Sequence, residues 1–494
     1  MNISFAGKWR PTMSDKGLKI LFLAAEAVPF AKVGGLADVA GALPKALRAL
    51  GHDARLMIPR YGSIRSDQFR FERMGKPFPV PVGPGEELVH MMTTTVDGLP
   101  VYLLWDEKFF SPRDRIYGFD DDPQRFTFFS RAVAASLDVM EWVPDIIHAN
   151  DWHTAAVPTW VAYEGRYRRE YRHIATVFTI HNIAYQGLCG RLILTFARME
   201  YVRHLDVEPP GQVNWMAQGI ANSDMVTTVS PQYAQDILET EAGMGLSPLL
   251  QRRKDQLVGI LNGIDVDYWN PATDPYIQQR YDFTALRLRA VNKAALQQEA
   301  RLPVRAETPL IGMVTRLDAI KGIDLLGPVL DQLLQGDVQF VLLGTGEPEY
   351  HQMLEALQAR FPDKVRVFLR FDEPLAHRIY AGCDLFLMPS RFEPCGLGQM
   401  IAMRYGAVPV VRKTGGLADT VLDYHKRPDR ATGFTFEDYT PEACLEGLQR
   451  ALRVWRDREA WAVLQTRGMR ADFSWRASAQ KYVKVYQQAQ AMRK

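Results

Sequence analysis

The chain has 494 residues, and 59 Lys and Arg against 57 Asp and Glu leave a formal charge of +2. Hydrophobic residues make up 47% and charged residues 23%, a composition that excludes global disorder and provides for two or three domain cores. The near-zero balance argues against a dedicated nucleic-acid binder, which carries a strong basic excess, and no apolar run approaches the ~20 residues of a membrane helix.

Residues 1–17 are polar, lack the apolar core of a signal peptide and read as a flexible tail, so a cytoplasmic location is expected. Short apolar runs then recur between Gly, Pro, Asp and Asn. Runs at 18–25 (LKILFLAA), 145–149, 175–180, 225–229 and 256–261 predict one series of buried strands. Runs at 310–314, 338–343, 365–369, 384–388 and 408–411 predict a second series. Stretches with helical periodicity, such as 36–50 and 325–334, lie between them, and 476–492 predicts a final surface helix that buries Tyr482, Val485 and Tyr486. Strands apolar on both faces and alternating with helices predict an α/β fold with parallel sheets covered on each side. The polar stretch 265–308, broken by Asn270-Pro271 and Asp274-Pro275, reads as the linker between the two series. The four cysteines, Cys189, Cys383, Cys395 and Cys444, are scattered without a CxxC pair and predict reduced thiols.

In open α/β sheets ligands bind beyond the carboxyl ends of the strands, so the loops there hold the candidate site. The first strand is followed by KVGGL, where Lys32 is a point charge and Gly34-Gly35 opens a helix whose free N–H groups suit an anion. A plain turn explains the glycines equally well. A second such loop, with Thr414, Gly415 and Gly416, follows the strand at 408–411, and two of them facing a cleft point to a diphosphate ligand. The loop after 310–314 carries Arg316 and Lys321, close enough to share one pyrophosphate and to stabilise it as a leaving group. After 384–388 comes SRFEPCGLG, where Glu393 suits sugar hydroxyls or, alternatively, the first turn of a helix, and Cys395 is a buried spectator or a reactive thiol. His148 and His153 flank Asp151 in HANDWH; one sugar contact plus one structural histidine is expected rather than a metal pair. The acidic runs 120–122 and 265–267 read as solvated turns rather than metal ligands, so no metal is expected.

Seven blocks taken together, KVGGLAD (32–38), HANDWH (148–153), FTIHNIAYQG (178–187), LNGID (261–265), RLDAIKG (316–322), SRFEPCGL (390–397) and KTGGLADTV (413–421), resemble the bacterial glycogen synthases and plant starch synthases in order and spacing over residues 18–480. The resemblance implies the GT-B architecture: an acceptor-side Rossmann-like domain over 18–264, a nucleotide-sugar domain over 265–475, and a C-terminal helix over 476–494 that packs back on the first domain. It implies transfer of glucose from ADP-glucose to the non-reducing 4-OH of an α-1,4-glucan such as glycogen, with retention, without metal and without pyridoxal phosphate. UDP-glucose as donor and a non-enzymatic glucan-binding scaffold are the alternatives. By matching motif, Arg316 and Lys321 neutralise the diphosphate, and Glu393 holds the glucose with Cys395, Gly396 and Leu397 supplying backbone donors. His181 lies beside the transferred glucose, and Asp151, Asp38 and Trp152 lie on the acceptor side. Lys32, Gly34, Gly35, Asn262, Thr414, Gly415 and Gly416 line the donor, and Phe371 lies against the base. The chain departs from the family in reading KVGGL for KTGGL and in carrying Ile401 where wider relatives place a second glutamate.

Overall fold

The computed structural model describes residues 17–65 and 67–493, so all of the expected N-terminal tail except Gly17 lies outside it. The first unit is built on β1 (Lys19–Leu23), β2 (Asp53–Pro59), β3 (Glu72–Val82), β4 (Gly85–Val96), β5 (Leu99–Trp105), β6 (Ile146–Asn150), β7 (Ala175–Ile180), β8 (Leu188–Gly190), β9 (Gln212–Asn214), β10 (Met225–Thr228) and β11 (Leu257–Gly259). All but β8 and β9, which pair separately, form one sheet in the order β11-β10-β7-β6-β1-β2-β5-β4-β3. From β11 to β5 the strands are parallel, and β4 and β3 extend the sheet antiparallel. Ile20, Leu21, Phe22 and Leu23 of β1 are all fully buried, as a central strand covered on both faces requires.

The second unit contains β12 (Leu310–Val314), β13 (Gln339–Leu343), β14 (Val365–Phe368), β15 (Leu385–Met388), β16 (Val408–Arg412) and β17 (Phe434–Phe436), all parallel in the order β14-β13-β12-β15-β16-β17. The chain therefore winds twice in the same way. In each unit the first strand lies between strands reached by crossovers in opposite directions, so a crevice opens beside β1 and β6 and again beside β12 and β15.

The helix Trp475–Ala491 returns to the first unit and buries Tyr482, Val485 and Tyr486. The Tyr486 hydroxyl lies 2.8 Å from His148 Nδ1 on β6, and Ser478 Oγ donates to the Leu261 carbonyl at 2.6 Å. Two features differ from the sequence reading. The stretch 265–308 is no bare linker: it carries the helix Arg289–Glu299, whose polar residues Arg289, Asn292, Lys293 and Gln297 are buried. Each is satisfied inside the protein. Arg289 donates to the Tyr405 and Cys383 carbonyls, and Lys293 pairs with Asp384 at 2.7 Å; Asn292 exchanges hydrogen bonds with Gln279, and Gln297 bonds Gln339. The second feature is the run of strands from β2 to β5, ending in the antiparallel flank β4-β3, which the sequence reading did not include although β5 (LPVYLLW) is a nearly continuous apolar run. Its outermost strand carries Pro77, Pro79 and Pro81, which an edge strand tolerates. Among the described residues no helix is long and apolar enough to cross a membrane.

Candidate active site

The crevice of the second unit is lined by the loops after β12 and β15. Asp318 caps the short 3₁₀ turn Ala319–Lys321 by accepting from the Lys321 N–H at 2.9 Å, and it lies 3.5 Å from the Arg316 guanidinium. The capped turn carries Lys321 across to the neighbouring loop, where its Nζ donates to Glu393 Oε2 at 2.7 Å. Ser390 Oγ donates to the same oxygen at 3.1 Å. Glu393 is buried against Lys321, whereas the Arg316 side chain, beside Asp318, is 72% exposed and open to an anion from solvent. The helix after Glu393 begins only at Gly398, which removes the expectation that Glu393 sits in a first helical turn. Its carboxylate is held by side chains instead. Gly396 has φ +72°, and a Cβ there would stand 3.1 Å from Glu393 Cγ, so the backbone passes close under the carboxylate. Burial raises the Cys395 thiol to about 12, which makes it a spectator rather than a nucleophile.

In the first unit the matching loops follow β1, β6 and β7. Asp151 follows β6 in a left-handed conformation (φ 55°) and is buried. It accepts from the His181 N–H at 2.8 Å, and His181 Nε2 meets Asn150 Oδ1 at 2.8 Å. Burial drives both groups toward neutrality: Asp151 rises to about 7 against the pull of backbone N–H groups, and His181 falls to about 3. The pair therefore offers a carboxyl that exchanges a proton near neutral pH beside an uncharged imidazole. Glu26, after β1, accepts from the backbone N–H groups of Val33 and, at 3.0 Å, Gly34, so it anchors the glycine loop whose donors the sequence had offered to an anion. Gly35, which opens the helix Gly35–Ala49, has empty space where a Cβ would stand, and Lys32 pairs with Asp38 at 2.7 Å on the surface. Trp152 lines an open cavity of about 470 Å³ with Tyr185, Gly187, Leu188 and Met244. A Cβ on Gly187 would collide with the Trp152 ring at 2.3 Å, so that glycine makes room for the indole.

Tyr233 joins the two halves. Its hydroxyl accepts from the Ile183 N–H at 3.1 Å, two residues beyond His181, and its ring lies 5.3 Å from that of Phe392, beside Glu393. Ser230 Oγ donates to the Pro394 carbonyl at 2.7 Å. Asn262 is buried, and among the described residues its Oδ1 has no hydrogen-bond partner, an acceptor left open at the junction. Phe371 is 86% exposed, and among the described residues no ring stacks on it. The second glycine loop departs from its expected role as a ring of free donors. Gly415 N–H donates to Asp236 of the first unit at 3.1 Å, and Gly416 N–H to the Glu393 and Pro394 carbonyls. A Cβ at either position would lie 2.1 Å from a backbone oxygen of the Glu393 loop, so these glycines, following Thr414, serve the close packing of two loops.

Sequence reasoning gave no role to Asn150, Asp318 and Ser390 although they lie inside the seven blocks, and it missed Glu26, just before the first block, and Tyr233, which no block contains. Of the two histidines flanking Asp151, His148 is structural: Nε2 meets Thr179 Oγ1 at 2.6 Å, and burial, aided by His181, holds the ring neutral. His153 packs 4.2 Å from the Trp152 ring and is pushed down to about 3 by burial. Among the described residues no group of three or more His, Cys, Asp or Glu side chains could hold a metal ion. The buried imidazoles have a pH consequence. The unfolded chain protonates His148 near the ordinary value of 6.5 whereas the folded chain does not. Stability is therefore full above that value and is lost as pH falls below it, by about 1.4 kcal/mol per pH unit for each such ring. His148→Gln should flatten this limb in urea unfolding between about pH 6.5 and 4.5, whatever its effect on absolute stability. An unchanged slope would mean that His148 is not held neutral.

Comparison with known proteins fits this geometry. Residues 19–252 match the starch synthase catalytic domain model, and residues 296–463 match glycosyl transferases group 1. A glycogen synthase of Moorella thermoacetica is 47% identical over 96% of this chain and 97% of its own length. One from Geobacillus stearothermophilus is 43% identical over 95% of this chain and 98% of its own length. The structure of the catalytic domain of starch synthase IV from Arabidopsis thaliana, bound to ADP and acarbose, aligns with TM-score 0.88 at 37% identity, covering 96% of this chain and 100% of that one. A sucrose-phosphate synthase from Thermosynechococcus elongatus aligns with TM-score 0.60 at 18% identity over 96% of this chain and 99% of that one, a likeness of the GT-B fold alone.

Proposed function

The chain belongs to the glycogen synthase and starch synthase family of glycosyltransferases, and from that premise we propose its reaction. It transfers glucose from ADP-glucose to the non-reducing 4-OH of an α-1,4-glucan, retains the anomeric configuration, releases ADP and uses no metal, in the cytoplasm. The observation that carries this reading is the Lys321–Glu393 contact at 2.7 Å, with Arg316 in the same loop. It places cations and a carboxylate side by side at the carboxyl ends of β12 and β15, where a charged leaving group and a sugar ring must both be held. The similarity to a starch synthase domain bound to ADP and acarbose supports the choice of adenine nucleotide and glucan.

Negative charge grows on the diphosphate as the glycosidic bond breaks. Arg316 and Lys321 stabilise it there without a cation of another kind, a contribution of several kcal/mol in comparable anion sites. Glu393, fixed by Ser390 and Lys321, hydrogen-bonds the glucosyl hydroxyls and orients C1. Asn262 Oδ1, unpaired at the junction, accepts from the donor. On the acceptor side Trp152 forms a wall of the open cavity, while Asp151 and the uncharged His181 flank the transferred sugar. Asp151, half protonated near pH 7 and bonded to backbone N–H groups, is a poor nucleophile for a covalent intermediate. Retention then proceeds on the front face, with a departing phosphate oxygen taking the proton of the 4-OH.

The experiment is nucleotide release with glycogen as acceptor, comparing ADP-glucose and UDP-glucose with EDTA present. ADP formed from ADP-glucose alone, at a rate indifferent to EDTA, is expected. Faster release from UDP-glucose would overturn the donor, loss of activity in EDTA would overturn metal independence, and silence with both donors would leave a glucan-binding scaffold.

A further inference from the structure

We propose that Tyr439 is a positioning residue for the phosphate-binding cations of the second unit, a role that rests on the diphosphate donor proposed above. Tyr439 follows β17 and is half-buried. Its hydroxyl donates to Asp324 Oδ1 at 2.6 Å, with the Ala319 carbonyl at 3.1 Å. The guanidinium carbon of Arg391 stands 4.6 Å from the centre of its ring, and that of Arg412 stands 5.5 Å away. One side chain thus touches the turn that carries Lys321, the loop that carries Glu393 and the end of β16, three elements from distant parts of the sequence.

The knot is closed by its own backbone. Arg412 Nη1 donates to the Arg391 carbonyl at 2.8 Å, and the Arg391 N–H donates to the Ile320 carbonyl at 2.9 Å. Gly322, at φ +76°, leaves no slack on the other side, since a Cβ there would lie 2.2 Å from the Pro389 carbonyl oxygen. The 3₁₀ turn Ala319–Lys321 is therefore held between the Pro389 loop and the phenol. Tyr439 itself lies beyond the ion pair: it touches Ala319 and Arg391, each two residues from Lys321 or Glu393. The ring also keeps Arg391 and Arg412 stacked rather than free to compete for the anion. Cation–π contacts of this kind set a loop position without determining whether the domain folds.

The test uses the full chain with Tyr439→Phe and Tyr439→Ala, read by calorimetric binding of ADP and of adenosine, by steady-state kinetics and by thermal unfolding. Tyr439→Phe should weaken ADP and lower donor kcat/KM about 3–10-fold, and Tyr439→Ala about 30-fold or more. Adenosine affinity, which involves no phosphate, and the glucan KM should stay at wild-type values. Equal losses for adenosine and ADP, or for glucan and donor, would make Tyr439 merely structural, and unchanged ADP affinity in both variants would overturn the proposal. Should the alanine variant not fold, the phenylalanine variant alone decides, since it removes only the hydroxyl. A wild-type chain that binds neither ADP nor UDP would overturn the diphosphate reading itself, and the proposal with it.

Discussion

Lys321→Ala is expected to lower kcat by about two to three orders of magnitude, the loss recorded when one preorganised donor to a developing anion is removed. Arg316→Ala should lower it comparably, yet the two variants should differ sharply in stability. The Lys321 side chain is 20% exposed and its partner Glu393 is 8% exposed. Its removal leaves a buried carboxylate with only Ser390 to bond it, which costs roughly 2–3 kcal/mol, less than for a wholly buried pair because water reaches Lys321. Arg316 is 72% exposed and faces Asp318 at 3.5 Å, so its loss should leave the urea midpoint within experimental scatter. Combining Lys321→Met with Glu393→Gln should recover most of the stability and none of the activity, which separates the two roles of the lysine. Turnover near wild type in either single variant would remove that residue from the chemistry.

Glu393→Gln is expected to reduce kcat by about 10²–10³-fold while ADP affinity stays within about threefold of wild type or tightens. The amide keeps the shape of the side chain and can still accept from Ser390, which now donates to Oε2 at 3.1 Å. It no longer holds Lys321 as an ion pair, so the ammonium is released toward the diphosphate. Sugar hydroxyls, by contrast, lose a charged acceptor where the glucosyl unit must be oriented. A parallel fall in ADP affinity and turnover would place Glu393 on the phosphates rather than on the sugar.

The glycine positions show how far local reasoning reaches. Two K-x-G-G-L loops look alike in sequence, yet in one the glycine N–H groups go to carbonyls and to Asp236 of the opposite unit, and in the other the N–H groups of Val33 and Gly34 go to Glu26. A motif announces that a backbone must come close to something; what it comes close to depends on which loop the fold sets opposite. The helix Arg289–Glu299 makes the same point for polarity, since hydropathy registers Lys293 as a surface charge and cannot register Asp384 waiting 2.7 Å away.

The family resemblance was legible in seven motifs taken together across the chain. By itself the sequence also determined most of the strands that lie buried on both faces, though not β2, β5 or β17, together with helices between them and the placing of each chemical loop directly after a strand. These follow from spacing within about a dozen residues, where apolar periodicity and backbone sterics dominate. The tertiary structure alone decided that β12 and β15 adjoin, and hence that Lys321 meets Glu393 across 72 residues of chain. It alone made Asp151 a proton-exchanging carboxyl and His181 a neutral ring, because desolvation is set by everything packed around a group and not by its neighbours in sequence.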